Sequence, residues 1–413
     1  MPPRRLDPDA IASVLPAGGR ILLSACSGES LLLADSVMRA GDRLGAATFT
    51  GIFVPGLNTR TWLANPSCRV ETFFMTPELK AAGAATKFLS FCYGDILGWL
   101  RSARIDAALM MLSPPDAEGN CSFGPIVDFL AELWPRIPIR IAHVNPRMPR
   151  TTGPCHIPFD ALTAYFEADQ ELLGAPERPD DAVSLAIGEA VARHIPDGAT
   201  IQTGLGRIPT AALRALRGRR GLKIHSGLIP EAVADLQDAG ALAPGVSVIG
   251  GVAIGSRRLY DRVGGETYSF HPVSHTHSLR VLADIENFVA LNSAMEIDLF
   301  GQAYAEMAPS GLVSGAGGAS DFARGALAAA GVRIVALAAS ASRGAVSRIV
   351  APGEGAGPVS LSRMDTDVVV TEYGAAGLRG LDHDERARAL VAIAPPAHRD
   401  RLSAQWSALA AKF

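Results

Sequence analysis

The sequence has little of what holds small secreted or metal-built folds together. Only five of its 413 residues are cysteine. These are Cys26, Cys68, Cys92, Cys121 and Cys155, and none forms a CxxC pair. An odd, scattered set excludes a disulfide framework or a zinc ribbon and suits a reducing compartment. Charge is also sparse. Charged residues make up 19% of the chain, the net charge is −3, and there is no long basic run. A nucleic-acid partner is therefore not expected. No apolar run reaches 18 residues. The longest candidate, residues 325–344, is interrupted by Arg333 and reads as helix, turn and strand, so no membrane span is expected. The opening MPPRRLDPDA has no apolar stretch fit for a signal peptide. The expectation is a soluble cytoplasmic protein. Two common catalytic fingerprints are missing as well. There is no GxGxxG dinucleotide loop, and there is no GxSxG nucleophile elbow.

What is present is apolar and rich in turns. Hydrophobic residues are 48% of the chain, with 42 glycines. Short buried-type runs (RILLSAC, IDAALMML, IRIAHVN) alternate with helical patterns (LLLADSVMRAG, ATKFLSFCYGDILGWLRSAR). Such alternation predicts βαβ units and mostly parallel sheets. GAPERPDDAVS, residues 174–184, reads as a linker. Beyond it the pattern starts again, with ATIQTGLGRIPTAALRALRG as strand, glycine loop and helix. The fold class expected is α/β, with two open domains at 1–178 and 179–413. The tail from Asp382 onward reads as a helix pair.

Several segments carry candidate chemistry. In TGLGRIP, Gly204 and Gly206 stand between a strand and a helix whose first turn holds Pro209. Glycine lets backbone N–H groups approach a ligand, and a helix N-terminus favours negative charge. Many strand-to-helix turns use glycine for geometry alone, so this loop is weak by itself. GAGGASDFARG, residues 315–325, is a second glycine-rich loop ahead of a helix, able to aim backbone donors at a carbonyl oxygen or phosphate. ALNSAMEIDLFGQ offers the amide of Asn292 as an oxyanion donor. Its Glu296 and Asp298 share a strand face and read as solvated or ion-paired. HPVSHTHS gathers His271, His275 and His277. The last two would share a face of an extended segment, and with no ligand at zinc-like spacing they read as a polar loop with no metal. GLKIHSGLIPEAVADL reads as a short strand, a turn and the start of an amphipathic helix.

Together, LSPPDAEGNCSFG, HVNPRMPRTTG, GLGRIPTAAL, LNSAMEIDLFGQ, GAGGASDFARGA and DVVVTEYGAAGLRG resemble, in order, motifs of the acetyl-CoA hydrolase/transferase family. That group includes 4-hydroxybutyrate and butyrate–acetate CoA-transferases. The resemblance implies two CoA-transferase-type domains with acyl-CoA bound between them, a small carboxylate as acceptor, and a homodimer. It implies that Gly204, Leu205, Gly206, Arg207 and Ile208 contact coenzyme A, that Ser314 and Gly317 lie at the CoA site, and that Asn292 and the backbone of Gly318 stabilise the oxyanion. It also implies ping-pong chemistry, in which a glutamate attacks the thioester and becomes a glutamyl-CoA thioester.

That glutamate is missing. Where the family reads HSE, this chain reads His225, Ser226 and Gly227. Glu231 lies four residues on, which is one helical turn or ~6 Å along an axis, too far for a simple swap. Glu29, in a strand-to-helix loop of the first domain, is another carboxylate that could face the cleft. Three outcomes stay open. Glycine vacates a carboxylate-sized space for a water, with His225, Glu231 or another carboxylate as base, giving a hydrolase. Alternatively, another carboxylate or the acceptor itself carries out transfer. In the third, the chain binds acyl-CoA without turnover.

Overall fold

The computed structural model describes residues 2–174, 179–308 and 310–412. Eight strands form a first sheet: β1 (Arg4–Arg5), β2 (Arg20–Leu23), β3 (Thr48–Gly51), β4 (Arg69–Thr72), β5 (Thr86–Phe88), β6 (Ala107–Leu112), β7 (Ile139–Val144) and β8 (Ala164–Glu167). Their order is β1-β8-β7-β6-β2-β3-β4-β5, and every neighbouring pair is parallel. The run AALMML in β6 is buried throughout, as a strand covered on both faces must be.

A second sheet contains β9 (Thr200–Gln202), β10 (Lys223–Pro230), β11 (Val248–Ile254), β12 (Tyr268–Phe270), β13 (Phe288–Ser293), β14 (Val332–Ala336), β15 (Val368–Thr371) and β16 (Gly374–Gly377). Its order is β12-β11-β10-β9-β13-β14-β15-β16, parallel except for the antiparallel β15–β16 edge. Both sheets are the open, mostly parallel kind expected for the fold class. The expected boundary at 178/179 falls beside residues 175–178, which lie outside the described residues, as does part of the expected linker.

The principal helices are α1 (Leu31–Ala40), α2 (Tyr93–Ser102), α3 (Ala182–Ala192), α4 (Arg207–Ala215), α5 (Ala232–Asp238), the single turn α6 (Val273–Thr276), α7 (Ala319–Ala328), α8 (His383–Ala392) and α9 (Arg399–Ala410). Ser30 caps α1 through the Leu33 N–H. Asp382 and Glu385 make a reciprocal capping box at α8, and α8 with α9 is the helix pair read from the tail. Among the described residues no helix is long and apolar enough to cross a membrane.

The two sheets share one apolar core. Phe73, Ile96, Met111, Phe123 and Ile126 on the first side join Val252, Phe270 and Val273 on the second. The seam also carries backbone hydrogen bonds. Val127 N–H donates to Gly251 O (3.0 Å), Ala253 N–H to Pro125 O (2.8 Å) and Phe270 N–H to Thr152 O (2.9 Å). Gly153 sits in this seam at φ +128°, where an added Cβ would fall 2.1 Å from Phe270 O. Gly153→Ala therefore combines a left-handed backbone with a backbone clash. We expect it to cost about 2–3 kcal/mol, read in urea melts as a lower midpoint.

Candidate active site

Each sheet reverses its strand order once. In the second sheet the chain leaves β9 in one direction and takes up β13 on the other side, so the loops after these two strands open a crevice where ligands bind in open α/β sheets. The first of these loops is Thr203 to Gly206. Ser226 on β10 anchors its start, donating to Thr203 O (2.8 Å) and accepting from Thr203 N–H (3.3 Å). Gly206 takes φ +119° and leads into α4 with no side-chain cap. The early α4 N–H groups thus point to solvent or to a ligand. Leu205 is 41% exposed, Gly204 has open space around it, and Arg207 pairs with Asp181 at 2.6 Å. Asn292 is the penultimate residue of β13, at the same crevice. It is half-buried, and its amide has no hydrogen-bond partner among the described residues.

The region around Gly227 departs from expectation. β10 is not broken there. It runs from Lys223 through Gly227 to Pro230, and the turn comes only at Glu231, just before α5. No vacant carboxylate-sized space lies beside Gly227. A Cβ on Gly227 would come 2.6 Å from His277 Cε1 and 2.7 Å from Nε2, and a Cβ on Gly318 would also come 2.7 Å from His277 Nε2. The imidazole of His277 fills the gap between the two glycines. Tyr93 from α2 stacks on it at 4.5 Å and 10°, and Phe322 from α7 packs against it at 4.6 Å. Its Nδ1 lies 2.9 Å from Thr276 Oγ1. Burial, with a smaller contribution from His225, pushes its pKa down to about 3. The ring is therefore neutral at any ordinary pH.

The other expected bases are occupied. His225 is buried with its Nε2 3.1 Å from Thr276 O, and burial lowers its pKa to about 4. Glu231 is not one helical turn from Gly227. Three residues of extended strand separate them, four rises or ~13 Å, and its carboxylate accepts from Ser256 N–H (2.7 Å) and Arg258 (3.2 Å). Glu29 is turned into the first sheet's side, where Asn58 (3.0 Å) and Trp62 (2.9 Å) donate to it. The crevice contains neither carboxylate. His275 and His277 do not share a face, because α6 intervenes. His275 stacks on His271 at 4.2 Å, while His277 turns the other way, toward Tyr93. Among the described residues no three side chains converge as metal ligands. Asp298 is neither solvated nor ion-paired. It is fully buried and accepts from the Phe300 and Gln302 N–H groups, the Gln302 side chain and the Tyr304 hydroxyl. Glu296 accepts from Ala356 N–H (2.8 Å).

The second glycine loop is clasped to the first sheet's side. Gly315 lies so close to Phe73 O that a Cβ would be 1.9 Å away, and Gly317 (φ +61°) bridges Cys92. Asp321 accepts from Gly94 N–H at 3.3 Å. Ser314 precedes this clasp, and its hydroxyl lies 3.4 Å from Gly315 O. The structure thus brings Gly227, Gly317 and Gly318 around α2 and His277, with Asn292 and the 203–206 loop at the neighbouring strand ends.

Sequence reasoning missed Tyr93 and Phe322, and it missed Asp128. The Asp128 backbone takes φ +34° and bonds to Gly251 and Val273 across the seam. Its carboxyl has no hydrogen-bond partner among the described residues, and burial pushes its pKa up to about 8. It lines a narrow cavity with Cys26, Ile52 and Phe73 that offers about 20 Å³ to the centre of a water-sized sphere, enough for one water. Only contacts distant in sequence identify these residues, and no local pattern announces them.

Known proteins share this fold. Residues 255–406 match the model of the acetyl-CoA hydrolase/transferase C-terminal domain. The chain is similar to the 4-hydroxybutyrate coenzyme A transferase of Clostridium kluyveri, 39% identical over 310 residues, 72% of this chain and 71% of that one. Among solved structures, RipA from Yersinia pestis superposes with a TM-score of 0.90 at 25% identity, covering 98% of this chain and 97% of that one. A 4-hydroxybutyrate CoA-transferase from Porphyromonas gingivalis gives 0.81 at 29% identity, covering 99% and 98%. With 39% identity to the Clostridium kluyveri enzyme over 72% of its length, the chain belongs to the acetyl-CoA hydrolase/transferase family.

Proposed function

We propose that this protein cleaves the CoA thioester of a small carboxylic acid, with water rather than an enzyme carboxylate as the attacking group. The observation that carries this reading is the His277 imidazole beside Gly227. Where the resemblance calls for a glutamate, the chain has a glycine, and a neutral ring fills the space a side chain there would need. A carboxylate nucleophile must exchange with an acceptor acid through an anhydride. An imidazole in that place cannot be the carboxylate partner of such an exchange. Acyl-CoA would lie between two CoA-transferase-type domains, 1–178 and 179–413. The 204–208 loop, Ser314 and Gly317 would contact CoA, and Asn292 and the Gly318 backbone would receive the oxyanion. The homodimer and the cytoplasmic location belong to the same proposal, and a bound metal does not. The burial of His277, 8% exposed, favours a second reading, in which the chain binds acyl-CoA without turning it over.

A panel of acetyl-, butyryl- and 4-hydroxybutyryl-CoA, with and without excess short carboxylic acids, separates these readings by mass spectrometry. We expect free CoA without any acceptor. New acyl-CoA formed only with an acceptor would restore transfer, and tight CoA binding with neither product would leave a binder. Gly227→Glu alone is expected to be unproductive. Its Cβ would meet a ring held on both faces, costing about 3 kcal/mol of stability as overpacking. Gly227→Glu combined with His277→Ala should recover stability. It should also form a CoA adduct on the introduced glutamate, seen by intact mass after mixing with acyl-CoA.

A further inference from the structure

We propose that His277 is the catalytic base of this site, its Nε2 taking the proton of the attacking water. The inference rests on the hydrolytic reading above and names the group that performs it. Three features of the structure support it.

The first is position. Nε2 lies 2.7 Å from where a side chain would begin on both Gly227 and Gly318. It therefore sits between the strand that carries the nucleophile's place and the glycine loop expected to receive the oxyanion. The second is tautomer. The Thr276 hydroxyl lies 3.4 Å from Pro272 O and 2.9 Å from Nδ1. In the tautomer the proposal requires, Nδ1–H donates to that hydroxyl, which leaves the lone pair on Nε2, the nitrogen facing the glycines. The third is orientation. Tyr93 and Phe322 hold the ring plane, so little rotational freedom remains to be lost at the moment of reaction.

The step balances without a further reactant. A water oxygen bonds to the thioester carbonyl carbon as its proton passes to Nε2. The carbonyl oxygen takes the negative charge, and the unpartnered amide of Asn292 donates to it. The C–S bond then breaks, its electron pair leaves on the CoA sulfur, and the proton on Nε2 returns to that sulfur. The products are the carboxylic acid and free CoA.

A base this buried is weak, so its help sits at the low end of the usual range, about 10²-fold. Its acid limb is also displaced. The titratable groups around the ring are Tyr93 on α2, Asp128 in the seam, Asp321 on α7, and His225, His271 and His275 on the second sheet's side. None places a settled anion against Nε2. A solvated histidine would lose activity near pH 6.5. Here the neutral, active form persists as pH falls and is lost only on approaching the pKa of about 3.

The test uses the full-length protein and the same acyl-CoA panel. His277→Phe keeps a ring between Tyr93 and Phe322 and removes both nitrogens. We expect about a 100-fold fall in kcat with CoA affinity and melting temperature little changed, and a wild-type kcat/KM flat from pH 8 to 5. If His277→Phe does not fold, Thr276→Val serves in its place, since it frees the tautomer and should lower kcat more than it raises KM. Wild-type hydrolysis retained in His277→Phe would overturn the proposal and leave the hydrolase reading standing. So would loss of hydrolysis in Asp128→Asn with His277→Phe active. A wild-type protein that releases CoA from no member of the panel would overturn the hydrolase reading itself, and the assignment of His277 with it.

Discussion

The packing of one imidazole holds the site together. His277 stacks on Tyr93 from the first sheet's side, packs on Phe322 from α7, and fills the space over Gly227 on β10 and beside Gly318. Three segments distant in sequence, α2, β10 and the start of α7, thus meet on one ring. Aromatic contacts of this kind add ~0.5–1.5 kcal/mol each beyond the area they bury. That gain holds only while the ring is uncharged, because a buried imidazolium with no anion would be strongly penalised. The two glycines follow from the ring. Any side chain at either position would overlap it, so the absence of a side chain at Gly227 and the presence of His277 form one arrangement.

The ring occupies a seam made by sheet topology. Both sheets are mostly parallel, and the second reverses at β9 and β13, which puts the 203–206 loop and Asn292 at adjacent strand ends. Bonds from residues 125–128 to Gly251 and Ala253 extend the second sheet toward the first. The same loop carries Asp128, and both Asp128 and Cys26 hold positive φ without being glycine. Strained backbone persists only where surrounding packing fixes it, and it collects near functional clefts. The cavity that both residues line is small, with room for about one water.

Much of this was legible in the sequence. Apolar runs separated by helical patterns gave the parallel sheets, the glycine loops fell after strands and before helices, and the tail formed its helix pair. The ordered motifs pointed to the family. What was not legible depended on three-dimensional neighbours. HSG reads as a strand end because glycine usually weakens a strand, yet β10 continues because Gly251 on β11 and His277 close over the position. Asp298 reads as a solvated acid by alternation, but it organises the turn at 300–304 through four donors. Glu231 is a helical turn from Gly227 only if the intervening residues are helical, and they are strand. HPVSHTHS reads as a polar loop because no local rule shows that one of its histidines is buried between aromatic rings.

A carboxylate and an imidazole in the same place favour different chemistry. A carboxylate nucleophile forms an anhydride and then a thioester of its own, which preserves the activation of the acyl group for an acceptor acid. It must be kept dry, because water competes for every intermediate. A neutral ring has no carboxyl oxygen to give to an anhydride. What it offers is a lone pair directed at whatever donor enters the crevice, and water is the smallest such donor. On this reading, replacing one side chain by glycine and filling the gap from another segment changes the acceptor while leaving the CoA-facing loops as they were. The fold would keep its substrate class, and the chemistry at the thioester would depend on which group fills the space over Gly227.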